Sequence, residues 1–527
     1  MNVKGWPDNT NPAMEHGKRV FKMPDIELTM HLSQTSFVQY LQCPKLFWTA
    51  VNAPNQISWL SRQRDRLRQQ EERQVEEYAQ TLFPDGLKIN RFASLDEIVA
   101  AKREAVLRPV ANKPLFDAVI QAGSLIAEPD ILLPLDNGFI DLFAVKSSTD
   151  IKPNHLPEIA FQRHVCTQSG LKINRCYLLT LNPDYVRQGD IEPDQIFSRH
   201  DITDELNELV EEITCQISSA QEIMGKKQYP EIQIGPHCDN PLECPMRDVC
   251  WKNIHDHPNN VFTLTRVPHD EKWGFYNQGI IINADIPADY HLMPEQKIQI
   301  ECERTGQIHV DKKGVKEFLD RLVYPLCFLD IGTVNMAVPI LDGMRPYEQL
   351  PFQFSLHTID TRNEEPYHLD WIWSGLYAEV RLELLTRLEW WLSKSGSIIS
   401  YNAKREMGIL ETAMKMNPEF HELPDGVLER FVDMQELFRN FTVYHPRQHG
   451  SCSLKAVMQA ITGNTYDHLQ IQDDEMAGWA LRRMLELDLL DDDERKESDG
   501  FRSDLEKYYR QNTLGMTRIL RQLHKLA

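Results

Sequence analysis

The chain has 527 residues, 42% hydrophobic and 26% charged, with a formal net charge of −21; this is the balance of a globular protein long enough for several cores. No stretch approaches the roughly twenty apolar residues of a membrane span, so no membrane partner is expected. The acidic balance argues against a surface that coats nucleic acid indiscriminately, while leaving room for a local basic groove.

In chain order, residues 1–27 lack an apolar leader and read as a disordered lead-in. LTMHLSQTSFVQYLQCPKLFW (28–48) predicts a helix capped by Ser33 or Thr35, because apolar residues recur at helical spacing. SWLSRQRDRLRQQEERQVEEYAQTLFPDG (58–86) predicts a solvated, charged helix of about 25 residues, stopping at Pro84-Asp85-Gly86. Strand-like runs follow over 115–148, broken by Gly123 and by the hairpin signal Asp136-Asn137-Gly138. A helix (156–171), a strand (173–182) and an amphipathic helix (202–224) complete a β-β-β-α-β unit and lead into a cysteine-rich loop.

Residues 256–322, with prolines at 258, 268, 287 and 294, read as a connector or small helical subdomain. From Tyr324 a second α/β unit begins. YPLCFLDIGT, PFQFSLHTID and GSIISYNAK predict its three strands, with the helix RLELLTRLEWWLSKS before the last of them. The remainder is read as helical, with the acidic run 485–500 as a solvated loop.

Ten cysteines and no secretory leader point to a reducing, cytoplasmic setting rather than to disulfides. Cys166, Cys176, Cys215, Cys302, Cys327 and Cys452 lie among apolar neighbours and read as small buried hydrophobes. Cys43 and the C-x5-C-x5-C run of Cys238, Cys244 and Cys250 read instead as a set of ligands. Zinc sites usually show paired C-x2-C knuckles, which this run lacks; a cluster, a zinc ion and free thiols are the three readings.

Metal-dependent phosphodiester hydrolysis needs carboxylates converging on Mg²⁺ or Mn²⁺, with a lysine near the attacking water. A compact solution is Pro-Asp at a turn, followed by an acid two residues before a lysine, since i and i+2 share one face of a strand. Pro129-Asp130 and Lys146 occupy two of these places, and Ala144 occupies the acid's. Asp141 would face the other way. Glu158 lies one helical turn before Gln162 and is the candidate substitute carboxylate.

Cys43, the PD…xVK hairpin, the FQRHV helix and the cysteine triad together resemble the RecB-like PD-(D/E)XK nucleases with an iron–sulfur cluster, over about residues 28–255. The resemblance implies a restriction-endonuclease-like α/β domain and a 4Fe–4S cluster on Cys43, Cys238, Cys244 and Cys250, tying the ends of the domain together. It also implies Asp130, a glutamate where Ala144 stands, Lys146 and Gln162 as catalytic groups.

FLDIGT resembles the first strand of a DEDD exonuclease, a ribonuclease-H-like fold. That strand carries Asp-x-Glu; here Asp330 is present and Gly332 takes the glutamate's place. YNAKREMGIL resembles the second motif, through Asn402 and Glu406, with Arg405 where an aromatic is usual. The third motif, Tyr-x-x-x-Asp, reads Tyr508 to Asn512, an amide for the acid. GMRPYEQLPFQFSLH, YHPRQHGSCSLKAVMQAITG and YYRQNTLGMTRIL resemble a bacterial two-domain family that joins these two units, with the second spanning 323–527.

Substitutions at three metal positions (Ala144, Gly332, Asn512) lead to the expectation of a nuclease-derived, DNA-binding protein with impaired metal sites, acting alone or within a protein complex. The alternatives are an active exonuclease that uses Glu158, with metal at Asp130, Asp330 and Glu406, and a scaffold without nucleic-acid binding. Arg62, Arg64, Arg66, Lys146, Lys152, Arg163 and Arg187 are the candidate groove, and Arg345 a candidate phosphate contact.

Overall fold

Ser33 ends an extended entry segment, and its hydroxyl accepts a hydrogen bond from Ser36 N at 3.2 Å, capping helix α1 (Gln34–Gln42). The single helix expected over 28–48 is two. Pro44 cannot donate to the preceding turn but suits the first position of a new helix, so α2 (Pro44–Asn52) starts there and Cys43 lies at the joint. The structure, a computed structural model, describes residues 31–57, 59–88, 113–287, 289–373, 379–420, 426–487 and 492–527. The expected lead-in at 1–27 lies outside the described residues.

After α3 (Trp59–Gln80) the chain builds a mixed six-stranded sheet in sequential order: β1 (Leu87–Lys88), β2 (Leu115–Phe116), β3 (Ile131–Pro134), β4 (Ile140–Val145), β5 (Ile173–Leu181) and β6 (Phe197–Asp201). β3 and β4 form an antiparallel hairpin, whose turn places Gly138 at φ +77°, a conformation that glycine adopts without strain. Helix α4 (His155–Gln168) then carries the chain over so that β5 runs parallel to β4. Successive β4 side chains alternate. Leu142 and Ala144 join a core with Phe37 of α1 and Phe161 and Val165 of α4. Phe143 and Val145 join another with Val75 and Ala79 of α3. The charged α3 is therefore not merely solvated; its i, i+4 pair of small apolar residues seats it on the sheet.

Helix α5 (Val210–Met224) packs on α2 and α4, and the cysteine loop follows. Helix α6 (His269–Asn277) sends Trp273 into the cluster that contains Cys43, Cys238 and Cys244.

The second sheet is ordered β9-β8-β7-β10-β11, from β7 (Leu326–Asn335), β8 (Gln349–Ile359), β9 (Tyr367–Ile372), β10 (Ile398–Ser400) and β11 (Phe431–Asp433). β8 runs antiparallel to both of its neighbours, β7 and β9, whereas β10 pairs parallel with β7 and β11 parallel with β10. The sequence reading had three strands. β9 escaped it because its residues are mostly half-buried at the sheet edge, and β11 because three residues carry no period. Helix α7 (Val380–Trp391) precedes β10, and α8 (Ala403–Met416), α9 (Leu454–Thr462), α10 (Asp474–Leu487) and α11 (Asp492–Leu526) follow. α11 lies across β7 and β8, burying Phe501, Leu505, Tyr508, Tyr509, Met516, Ile519 and Leu523 at helical spacing. Much of the acidic run expected as a loop is thus helical, in α10 and the start of α11.

The two halves share contacts. Ala337 and Val338 enter the core that holds Val75 and Phe143. The Tyr347 hydroxyl donates to the Ser147 carbonyl at 2.7 Å, and Arg482 pairs with Glu71 at 3.1 Å. Arg187 donates to the Pro339 carbonyl at 3.1 Å, and Arg345 reaches Pro183 O and Asp184 Oδ1, each at 3.4 Å. Two residues considered for phosphate binding are therefore loop staples. Another correction concerns Cys215, which is exposed rather than buried.

Candidate functional site

Three places collect the residues singled out in the sequence. The first is the end of the β3–β4 hairpin. Asp130 enters β3, and its Oδ2 accepts a hydrogen bond from Val145 N at 2.7 Å. Lys146 directly follows β4, and its ammonium donates to both oxygens of Glu158 on α4, at 2.8 and 2.9 Å. One turn on, Gln162 is buried and its Oε1 has no hydrogen-bond partner. Asp130, Lys146, Glu158 and Gln162 are thus drawn together. Ala144, two residues before Lys146, is fully buried and places its methyl group in the core. Asp141 faces away, accepting from Asn174 at 2.8 Å and Arg175 N at 3.1 Å.

Burial and the neighbouring Glu76 charge hold the Asp130 carboxyl well above the usual carboxylate range, against the pull of Lys146. Burial works against the Lys146 charge, but Glu158 and Asp130 outweigh it and hold the ammonium protonated beyond its ordinary range. His155 is pushed down to about 4 by burial and by Lys146. Glu76, on α3, was not found from the sequence. A glutamate in a run as charged as EERQVEE carries no distinguishing signal.

Of the proposed basic groove, Arg62, Arg64 and Arg66 lie on α3 with side chains outside the described residues. Lys146 is bound to Glu158 and Arg187 to loop carbonyls, and Arg163 donates to Asn207 at 2.7 Å. Lys152 is exposed.

The second place is the cysteine loop. Cys43 and, 195 or more residues further along the chain, Cys238, Cys244 and Cys250 line one partly open recess with Trp251 and Met246. Gln42, beside Cys43, donates to the carbonyls of His237 at 3.1 Å and Leu242 at 2.7 Å, fastening α1 to the loop. Cys244 N donates to Cys238 O at 2.8 Å and Cys250 N to Met246 O at 2.9 Å. Arg247 stacks 4.0 Å over the Trp251 ring and pairs with Asp239. The buried Trp251 Nε1 has no hydrogen-bond partner. Burial raises the Cys43 and Cys244 thiols, the latter to about 12. Among the described residues, no group of three or more His, Cys, Asp or Glu is arranged to hold a single metal ion.

The third place is the face of β7 under α11. Asp330 Oδ2 accepts from Asn512 Nδ2 at 2.8 Å, and Asn512 Oδ1 accepts from the Tyr466 hydroxyl at 2.5 Å. Asn402 caps α8, which brings Glu406 beneath β7. Its Oε2 accepts from Ile331 N at 3.2 Å and its Oε1 from Arg405 Nη1 at 3.0 Å. Arg405 Nη2 reaches Thr333 Oγ1 at 3.0 Å. Burial pushes Glu406 up to about 8 although Arg405 opposes it. Burial likewise raises Asp330, against Arg405 and Asn512.

Tyr508 faces Asp474, donating to Oδ1 at 3.1 Å; it is Tyr509 that meets Gly332. A Cβ built on Gly332 lies 2.6 Å from Tyr509 Cζ. Opposite Gly332 on β8 stands Gln353, fully buried, both amide atoms without a partner. Asp474, Tyr466 and Gln353 were not legible as site residues, since only the packing of α10, α11 and β8 brings them to β7.

The fold is a mixed α/β chain with several mixed sheets. Residues 327–453, from the start of β7 to the turn before α9, match the family described as Domain of unknown function (DUF2779). The search of curated proteins returned no match. Among the described residues no helix is long and apolar enough to cross a membrane.

Proposed function

We propose that this protein is nuclease-derived and binds nucleic acid, DNA in the first instance, with metal sites in both halves impaired for hydrolysis. The carrying observation is the Ala144 methyl group, buried in the core two residues before a lysine whose ammonium is taken up by Glu158. An antiparallel hairpin followed by a parallel crossover supports a restriction-endonuclease-like first half. In the second half, the strand order 9-8-7-10-11, in which β8 alone opposes the direction of the other four, supports a ribonuclease-H-like reading.

We read the four cysteines as ligands of a cluster rather than of a single ion, because the paired C-x2-C knuckles usual for zinc are absent. They line one recess together with Trp251, whose buried N–H has no partner. Cys43, Cys238, Cys244 and Cys250 would hold a 4Fe–4S cluster, whose contribution is a covalent cross-link between the start and end of the first half. Zinc is the competitor that metal analysis of anaerobically purified protein separates.

The test combines cleavage and binding. Incubation with Mn²⁺ and single- or double-stranded DNA is expected to give little or no turnover, while binding weakens as salt rises, the signature of phosphate contacts. Robust turnover abolished by Asp130→Ala overturns impairment, and absent or salt-independent affinity overturns nucleic-acid binding. One observation favours a second reading, residual catalysis through Glu158: that carboxylate sits 2.8 Å from Lys146, and its charge bears on Asp130. Glu158→Ala would then remove whatever cleavage is measured.

A further inference from the structure

Two carboxylates buried near one another need a counter-charge, and in a metal-dependent exonuclease site the divalent cation supplies it. Here the charge is supplied from within the chain. Arg405, in the first turn of α8, sets one guanidinium nitrogen 3.0 Å from Glu406 Oε1 and another 3.0 Å from Thr333 Oγ1, and its charge also bears on Asp330. We infer that the Arg405 guanidinium is the resident cation of this site and stands in for a divalent metal, so that the second half is built to remain metal-free.

Three further features agree. Asn512 turns what would be an acid facing Asp330 into a donor 2.8 Å from Asp330 Oδ2; an acid there would need a cation between the two, whereas an amide does not. The Tyr509 ring takes the space into which a side chain at Gly332 would grow. Both Glu406 oxygens accept from fixed donors, Arg405 and Ile331 N. A planar, permanently charged guanidinium suits this role, because it is weakly hydrated and donates to several acceptors at once. The inference rests on the reading of this half as nuclease-derived, not on nucleic-acid binding.

The test uses the full chain carrying Asp130→Asn, so that the first half contributes less to metal binding, titrated with Mn²⁺ and followed by the paramagnetic signal of the free ion. With Arg405 intact, no binding sensitive to Glu406→Gln is expected. Arg405→Ala should gain about one Mn²⁺ per chain and a Mn²⁺-dependent rise in Tm, both lost again on adding Asp330→Asn. Metal binding by the Arg405-containing chain that disappears on Glu406→Gln overturns the inference, as does a folded Arg405→Ala variant that gains none. If Arg405→Ala does not fold, Arg405→Met combined with Glu406→Gln removes both charges and is expected to fold. Failure of that neutral pair would show that Arg405 is needed for shape rather than charge. DNA affinity, measured on the same proteins by fluorescence anisotropy, tells a failure of this inference from a failure of the nucleic-acid reading.

Discussion

The Tyr509 ring stands where a side chain at Gly332 would have to begin: a Cβ at Gly332 would lie 2.6 Å from Tyr509 Cζ and 2.7 Å from its hydroxyl oxygen. Tyr509, a large aromatic on α11, is buried against Phe352 and Tyr508, so a larger residue at Gly332 requires that ring to give way.

Gly332→Ala should thus destabilise by about 1–3 kcal/mol, the usual cost of overpacking. Gly332→Glu should cost more, and Tyr509→Ala should relieve part of the cost of either. Urea denaturation of the single and double variants measures this coupling. Strictly additive effects would mean that the ring and the glycine are independent.

The Glu406 carboxyl gives stability a definite pH dependence. Its folded-state pKa is raised from 4.5 to about 8 by burial, so its favourable contribution is complete below about pH 4.5 and is lost as pH rises towards 8. Unfolding free energy should fall across that window by a few kcal/mol, and Glu406→Gln should flatten the slope. An unchanged slope in the variant would assign the dependence to another group.

Lys146 and Glu158 form a pair with side chains 18% and 15% exposed. Lys146→Met leaves Glu158 and Asp130 without their cation and should cost about 3–5 kcal/mol. Adding Glu158→Gln should recover a substantial part. A double-mutant cycle read by thermal unfolding checks the coupling, and a cycle energy near zero would show the pair to be incidental.

The cysteine reading is checked by colour and metal content. Protein purified without oxygen should absorb visible light and contain iron, and Cys43→Ser or Cys250→Ser should lose both together with part of the thermal stability. Colourless protein carrying zinc would replace the cluster with an ion.

The contact between the halves gives a smaller prediction. Tyr347→Phe removes the hydroxyl that donates to Ser147 O at 2.7 Å and should cost about 1 kcal/mol. Arg482→Ala, which strips Glu71 of its partner at 3.1 Å, should add to that cost. Both should promote separate unfolding of the two halves, visible as a splitting of the calorimetric transition.

Local signals in the sequence were enough for elements whose chemistry is local: the Ser33 cap, the Asp136-Asn137-Gly138 hairpin, the long buried strands β7 and β8, and the amphipathic period of α5. Local spacing also put Glu158 and Gln162 on one helix face, while it was the resemblance that grouped them with Asp130 and Lys146. Edge strand β9 and three-residue β11 escaped, since neither has a period long enough to be read. α3 was taken for a solvated helix because two small apolar residues, Val75 and Ala79, are a faint stripe among so many charges.

By itself, then, the sequence determined which residues stand at the three motif positions (Ala144, Gly332 and Asn512 can be read directly) and which four cysteines stand apart from the other six. What surrounds those positions was decided by tertiary structure. Arg405 reaches Glu406 and Thr333, Tyr509 fills the space beside Gly332, and Asn512 turns its amide to Asp330, because α8 and α11 approach β7 from distant parts of the chain. Counter-charge and packing are properties of neighbours in space, and apart from the adjacent Arg405–Glu406 pair these neighbours lie 72 to 182 residues apart.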